Sequence, residues 1–336
     1  MSHVLVTGGA GYIGSVVCQT LLQRGHSIVI LDNLEEGHRS ALPSKGIFIE
    51  GDLSDETLLE EIFRNYSVDA VVHLAAHCLV GESVRDPEKY YRNNVSNGLN
   101  LLRAMRVAGV REMVFSSSAA VYGEPISTPI KETHPTRPLN PYGHSKLIFE
   151  EILDWYARAF DFRYVTFRYF NAAGAFEGLG EDHEPETHLI PLILREAVGM
   201  PGGLTKQNKE ITLTVFGTDY PTPDGSCIRD YIHIKDLALA HVLALEKLDH
   251  LHQRIFNLGN GHGFSVLEVI EAAQSITGRA IPYRVGERRP GDPAILVASS
   301  DLARQSLGWE PVFQSLKDIL ASAWNWHQQF PGGYKD

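Results

Sequence analysis

Cysteine is scarce in this chain: three residues in 336, Cys18, Cys78 and Cys227, far apart and odd in number. That argues against a disulfide framework and for a reducing compartment. Long apolar runs are also missing. None reaches the ~18–20 residues a membrane span requires. The strand-like Val4, Leu5 and Val6 leave no room for a charged leader with an apolar signal segment. Lysine and arginine never cluster against a net charge of −11 whose acids are scattered along the chain. A nucleic acid or an anionic membrane surface is therefore not an expected partner. There is no internal repeat and no low-complexity tract. The expectation is a soluble, cytoplasmic protein that handles small molecules.

What is present is alternation. Short β-branched or apolar runs at Val4–Thr7, Ile28–Asp32, Ile47–Glu50, Ala70–Leu74, Glu112–Ser116 and Tyr164–Arg168 are separated by stretches with helical apolar spacing. Those stretches are Ile13–Arg24, Glu56–Asn65, Asn94–Ala108 and Tyr142–Phe160. Such alternation predicts an α/β fold, a doubly wound parallel sheet with helices on both faces. A further strand is expected at Arg254–Leu258. The intervening sequence is polar and glycine-rich from Gly174 to Glu186, rich in Pro and Gly around Pro201–Leu204, and turns at Pro223, Asp224 and Gly225. With a helix at Val266–Thr277, a strand at Tyr283–Gly286 and a tail to Trp326, it reads as a smaller, interleaved α/β domain. The expected division is 1–172, with elements from about 229–260 returning to it, and 173–336.

The first strand runs into Thr7, Gly8, Gly9, Ala10, Gly11, Tyr12, Ile13 and Gly14, and then a helix. Glycines there allow a tight turn and let a pyrophosphate reach the helix N-terminus. Gly8, Gly11 and Gly14 stand three apart each time, a departure from the GxGxxG form. The second strand ends at Asp32, where an acid can accept hydrogen bonds from ribose hydroxyls and repel a 2′-phosphate. NAD is the expected cofactor, rather than NADP.

Tyr142 and Lys146 are four residues apart, with Ser118 upstream. On a helix that spacing puts both on one face about 5–6 Å apart. A neighbouring cation lowers the pKa of a phenol, ordinarily near ~10, and would let Tyr142 act on a proton.

These features together resemble the extended short-chain dehydrogenase/reductase family. The carriers are the glycine run, Asp52 and Leu53, His73–Ala76, Ser116–Ser118, and Tyr142 with Lys146. Within it the chain is most similar to the UDP-hexose 4-epimerase branch, through Val80–Val84 (VGESV), Tyr90–Val95 (YYRNNV), Ser116–Gly123 (SSSAAVYG), Arg168–Asn171 (RYFN) and the long Phe216–His233 segment. The resemblance implies a Rossmann-like NAD domain and a smaller UDP-sugar domain. It implies cofactor contacts at Gly8, Gly11, Tyr12, Ile13, Gly14, Asp32, Asn33, Asp52, Leu53, Leu74, Ala75, Ala76, Asn94, Ser116, Tyr142, Lys146 and Tyr169. Substrate contacts would fall on Ser118, Tyr142, Asn171, His188, Leu189, Phe216, Arg229, Arg289 and Asp292. It further implies a homodimer formed through Asn94–Ala108 and Tyr142–Phe160, and a role in galactose metabolism.

Dehydratases of the family resemble one another in an Asp-Glu pair just after the Ser/Thr, which supplies acid and base for water loss. Here those positions are Ala119 and Ala120, leaving only a hydroxyl, a phenol and an ammonium. The expected reaction is inversion of carbon 4 in UDP-glucose and UDP-galactose through a 4-keto sugar, with Ser118, Tyr142 and Lys146 catalytic. Epimerisation of a UDP-N-acetylhexosamine or UDP-pentose, or a non-catalytic NAD-sensing role, stay open. Cys78 stands where some epimerases have a Lys, His188 where some have an Asn, and Leu296 leaves acceptance of an N-acetyl group undecided. Glu181, Asp182, His183, Glu184 and His188 crowd one loop, but without HExxH or CxxC spacing they read as a solvated surface with no metal.

Overall fold

The structure is a computed structural model and describes residues 1–199, 213–289 and 292–336. The Pro- and Gly-rich stretch at Pro201–Leu204 lies outside the described residues. The strands are β1 (His3–Thr7), β2 (Ser27–Asp32), β3 (Ile47–Glu50), β4 (Ala70–His73), β5 (Glu112–Ser118), β6 (Arg163–Tyr169), β7 (Asn171–Ala173), β8 (Thr214–Phe216), β9 (Ile228–His233), β10 (Ile255–Leu258), β11 (Gly263–Ser265), β12 (Arg284–Gly286) and β13 (Ile295–Leu296). The helices are α1 (Tyr12–Gln23), α2 (Glu56–Asn65), α3 (Val80–Arg85), α4 (Pro87–Tyr91), α5 (Gly98–Ala108), α6 (Pro141–Phe160), α7 (Leu189–Val198), α8 (Ile234–Lys247), α9 (Val266–Thr277), α10 (Asp301–Leu307) and α11 (Leu316–Gln329).

Seven strands form one sheet in the order β10-β6-β5-β4-β1-β2-β3, every neighbour parallel. Both faces are covered, so Val4, Leu5 and Val6 of β1 are all buried. Val4 and Val6 join Ile28, Ile30 and Val72 in the core under α1 and α8. Leu5 joins Val29, Leu31 and Val71 under α2, α5 and α6 on the other face. The strand order reverses between β1 and β4. That reversal opens a crevice at the carboxyl ends of the strands, where doubly wound sheets bind ligands.

Two local features aim side chains at the crevice. Asn140 caps α6 by accepting from the Gly143 N–H, and Pro141 supplies a preset φ in the first turn. Tyr142 therefore begins the helix and Lys146 follows one turn later. The second feature departs from expectation: the helix read at Asn94–Ala108 enters through a π-helical turn, Arg92–Asn97, and becomes α-helical only at Gly98. Such turns recur at functional sites because they redirect one side chain.

The other elements build a smaller unit. β9 carries β11 and β13 on either side and also pairs with β7, while β8 pairs with β12. Its core joins Ile190, Ile193 and Leu194 of α7 with Val269 and Ile270 of α9 and Ile319 and Leu320 of α11. The chain crosses back repeatedly: α8, Ala303 and Leu307 of α10, and Trp309 all pack in the first core. Among the described residues no helix is long and apolar enough to cross a membrane.

Candidate active site

The glycine loop shows three separate reasons for glycine. Gly8 has φ +75°, and a Cβ there would lie 2.5 Å from the Ala75 backbone nitrogen. A Cβ on Gly14 would lie 1.9 Å from the Gly8 carbonyl oxygen. Gly11 differs, since its nearest neighbour would be the Gly8 oxygen at 3.5 Å. The space above Gly11 is open, and no side chain caps α1 there. An uncapped helix N-terminus leaves backbone N–H groups aimed at an anion, the arrangement that suits the pyrophosphate of NAD.

Asp32 fits the ribose end. Its buried carboxylate accepts from the Ala10 and Leu34 N–H groups at 2.9 Å each, and each oxygen retains a lone pair for a hydroxyl. Burial pushes this carboxyl above the usual range, with those N–H bonds opposing. Asn33 and Asp52 are paired at 2.8 Å, and the Leu53 carbonyl accepts from Asn100. Leu74 and Ala75 both donate backbone N–H to the Thr7 carbonyl, which holds Leu74, Ala75 and Ala76 beside the glycine loop. Asn94 is buried, with its amide committed to the His77 backbone and to Ser145 Oγ. It braces the loop after β4 against α6. The residues present thus fit NAD.

At the reacting end, Lys146 Nζ donates to the Ser116 carbonyl at 2.8 Å and stands 5.1 Å from the Phe115 ring centre. Burial pulls its ammonium down to about 8, with Cys78 and Glu150 opposing. The expectation that Lys146 lowers the Tyr142 phenol is not met by the chain alone. Burial pushes that phenol above its ordinary value, Cys78 adds to the rise, and a hydrogen bond with Ser118 works against it. Tyr169 is buried beside them. His241 Nδ1 meets the Leu237 carbonyl, so in the neutral ring its Nε2 accepts from the Tyr169 hydroxyl at 3.0 Å. Ala119 and Ala120 follow Ser118 in a short 3-10 turn.

The loop read as a solvated surface is one only in part, since Glu184 is exposed but Glu181, Asp182 and His183 turn inward. Glu181 and Glu186 are buried, and His183 reaches across to the loop after β2. Its Nδ1 pairs with Glu181 and its Nε2 lies 3.6 Å from Glu36, whose carboxylate also accepts from His77 at 3.1 Å. Burial pulls the His183 imidazole down, but Glu181, Cys78 and Glu36 outweigh it and hold it well above the ordinary range. Burial raises the Glu36 carboxyl, yet His183 and His77 bring it to about 2. Glu36, Cys78 and His183, and likewise Glu181, His183 and His188, present ligand-type atoms within 4.8 Å of one another. Charge pairing accounts for the cluster as it stands. Reasoning on local spacing missed Glu36 and His77 because their partners come from distant loops, and it missed Glu186 although its partner His188 is two residues away.

The substrate-side residues gather on the smaller unit. His188 caps the start of α7 in position but not through its side chain, whose Nδ1 meets Glu186 at 2.8 Å. Burial lowers this imidazole, while Glu186 and Glu181 raise it to about 9. Leu189 follows in the first turn of α7, and Asn171 is exposed on β7. Arg229 is buried and pairs with Asp292 rather than with Asp230 or Asp236. The Arg289 guanidinium lies 4.0 Å over the Phe216 ring, which leaves it exposed beside an aromatic face. Leu296 pairs in register with Arg229 and packs with the cluster of Ala119, Tyr122 and Phe170.

A nucleotide crevice, a tyrosine and lysine on α6 and a serine ending β5 define a short-chain dehydrogenase/reductase-type protein. The NAD dependent epimerase/dehydratase family model matches residues 4–259, and the chain belongs to that family. It is 51% identical over 334 residues to a UDP-glucose 4-epimerase of Halalkalibacterium halodurans, covering 98% of this chain and 97% of that one. The solved UDP-glucose 4-epimerase of Brucella ovis in complex with NAD is 46% identical with a TM-score of 0.90, covering 97% and 98% of the two chains. That of Bifidobacterium longum in complex with NAD+ and UDP is 40% identical with a TM-score of 0.90, covering 99% and 100%.

Proposed function

We propose that this chain inverts carbon 4 of UDP-glucose and UDP-galactose without net redox. The observation that supports it is the reacting set itself: Ser118 at the end of β5 bonds to Tyr142 in the first turn of α6, Lys146 follows one turn later against the Ser116 carbonyl, and Ala119 and Ala120 stand where an acid–base pair for elimination would. Such a set can move one proton on and off a hydroxyl and has nothing with which to expel water.

The glycine loop, Asp32 and the loop after β4 hold NAD. When bound, NAD would supply a hydride acceptor and donor for carbon 4, which allows the hydride to return to the opposite face. Tyr142, as the phenolate, accepts the 4-hydroxyl proton and gives it back. Ser118 hydrogen-bonds to the phenol and relays the proton, and Lys146 holds the nicotinamide ribose. His188, Leu189 and the first turn of α7 face the diphosphate, and Arg289 and Arg229 add forked cations suited to it. Phe216 packs on the base, and Asn171 and Asp292 complete the substrate contacts. Residues 1–172, with 229–260, serve the cofactor and 173–336 the sugar nucleotide, α10 excepted.

Val84, Leu99, Val107 and Trp155 are large apolar side chains left exposed on α3, α5 and α6, Trp155 by 66%. A second copy covers them, and a monomeric mass by sedimentation at micromolar concentration would overturn that. Three unpaired cysteines support a cytoplasmic setting, and galactose metabolism is the matching context. The decisive experiment is to purify the protein, measure its NAD content, and assay UDP-glucose, UDP-galactose, N-acetylated UDP-hexosamines and UDP-pentoses without added cofactor. Interconversion of UDP-glucose and UDP-galactose is expected. Turnover only on another UDP-sugar, or none, refutes the reading.

A further inference from the structure

Behind the reacting residues lies a charged group that the proton transfer does not use. Glu150 stands on α6 four residues after Lys146, one turn further along the same face. Its side chain is 4% exposed, and that of Arg168 on β6 is 5%. Arg168 donates to it from Nε at 3.0 and 3.2 Å and from Nη2 at 2.5 Å. The Glu150 Oε1 atom also accepts from the Ser117 hydroxyl. Ser117 sits between Ser116, whose carbonyl binds Lys146, and Ser118, which binds Tyr142. On its far side Arg168 lies 4.8 Å from the Tyr122 ring centre, and Tyr122 donates to Asn257.

A buried ion pair of this kind is weak evidence for stability, because desolvation offsets much of the attraction. Its placement is informative instead. We infer that Glu150 is a positioning residue for the reaction, clamped by Arg168 so that it fixes the end of β5 through Ser117 and holds a negative charge one helical turn from Lys146. Arg168 pairs in register with Ser117 across β5 and β6, and its guanidinium is turned to Glu150. The other groups facing Lys146 are Tyr142 on its own helix, Cys78 in the loop after β4 and His73 at the end of β4. Burial keeps His73 neutral, with a pKa of about 3. Glu150 is thus the carboxylate of that set, and it keeps the lysine cationic at working pH. The inference rests on Ser118, Tyr142 and Lys146 being the reacting groups.

The test compares wild type, Glu150→Gln and the doubly neutral Glu150→Gln/Arg168→Gln, each isolated with its NAD. Two readouts are taken: the pH dependence of UDP-galactose turnover, and Lys146 ionisation followed by the 13Cε resonance that Lys146→Arg removes. Glu150→Gln should lose Lys146 charge about one pH unit lower than wild type, and the double variant, which also removes the opposing guanidinium charge, should shift the same way by less, the alkaline limb moving with each. Glu150→Gln alone leaves Arg168 unpaired and can fail to fold, so the double variant carries the comparison in that event. A lysine midpoint and alkaline limb that stay at the wild-type pH in a folded variant overturn the inference. Should wild type lack epimerase turnover, the proposed function fails, and the lysine titration still decides the role of Glu150.

Discussion

Gly11→Ala and Gly14→Ala look alike in sequence and should behave in opposite ways. At Gly14, inside α1, alanine has about 1 kcal/mol better helix propensity. That gain is overwhelmed, because the new Cβ would sit 1.9 Å from the Gly8 oxygen and 2.8 Å from the Gly9 Cα, both backbone atoms. Clearing such contacts moves the loop by an ångström or more, and overpacking of this kind costs about 1–3 kcal/mol. Gly14→Ala should therefore lose stability with or without cofactor. At Gly11 the Cβ has room, with its nearest atom at 3.5 Å and φ at −78°. The cost there is only that of alanine at an N-cap, about 0.5–1 kcal/mol, or roughly 1 °C in Tm for a chain of this size.

The methyl group would stand instead where a pyrophosphate approaches. Losing one or two charge-assisted hydrogen bonds corresponds to on the order of 3 kcal/mol, roughly 100-fold in affinity. The assay is NAD released by acid per chain after gel filtration, alongside Tm with and without added NAD. Gly11→Ala should melt near the cofactor-free wild type and carry little NAD. A folded Gly11→Ala protein that retains wild-type NAD would falsify the reading of the open space as the cofactor's seat.

The remaining predictions concern single groups. Tyr142→Phe should keep Tm within a few degrees and lower kcat by about 10²–10⁴-fold, as removal of a general acid–base requires; near-normal turnover would remove Tyr142 from its role. His188 is cationic below about 9, so UDP affinity should hold to that pH and weaken about tenfold as pH rises through it. Isothermal titration with His188→Asn should show a flat profile, and an unchanged slope in the variant would refute the assignment. Glu36 is depressed from 4.5 to about 2, so its contribution is fully present above pH ~4.5 and is lost as pH falls toward ~2. That range corresponds to on the order of 3 kcal/mol at neutral pH, and the Tm gap between wild type and Glu36→Gln should close in acid. A gap independent of pH would place the effect in packing.

Most of the cofactor half was legible because its information is local. Parallel strands buried on both faces read as apolar runs, and Glu56–Asn65 and Val266–Thr277 are helices at the expected bounds. Gly8, Asp32, Tyr142 and Lys146 each declare themselves by spacing from a strand or helix end. The π-helical turn before α5 was not legible, since its apolar spacing continues that of the helix it enters. The loop at Glu181–His188 was misread for a different physical reason. A dense run of charges is solvated unless opposite charges arrive from elsewhere, and here they arrive from Glu36 in the loop after β2 and across the loop itself. Burial of charge is a property of pairs, and sequence shows only one member at a time.

The same limit explains what the Tyr142 and Lys146 spacing does and does not imply. Helical geometry places the two on one face, and from that alone a lowered phenol pKa follows. Yet an ammonium has three donors and goes where acceptors are, and the Ser116 carbonyl takes one of them at 2.8 Å. The phenol is left with burial, which favours its neutral form, and with Ser118 as its own polar partner. Proton transfer at Tyr142 is therefore governed by what enters the crevice above it and by how firmly Lys146 stays charged beneath. We assign the second condition to Glu150, a residue that no motif singles out and that Arg168 of the RYFN segment holds in place.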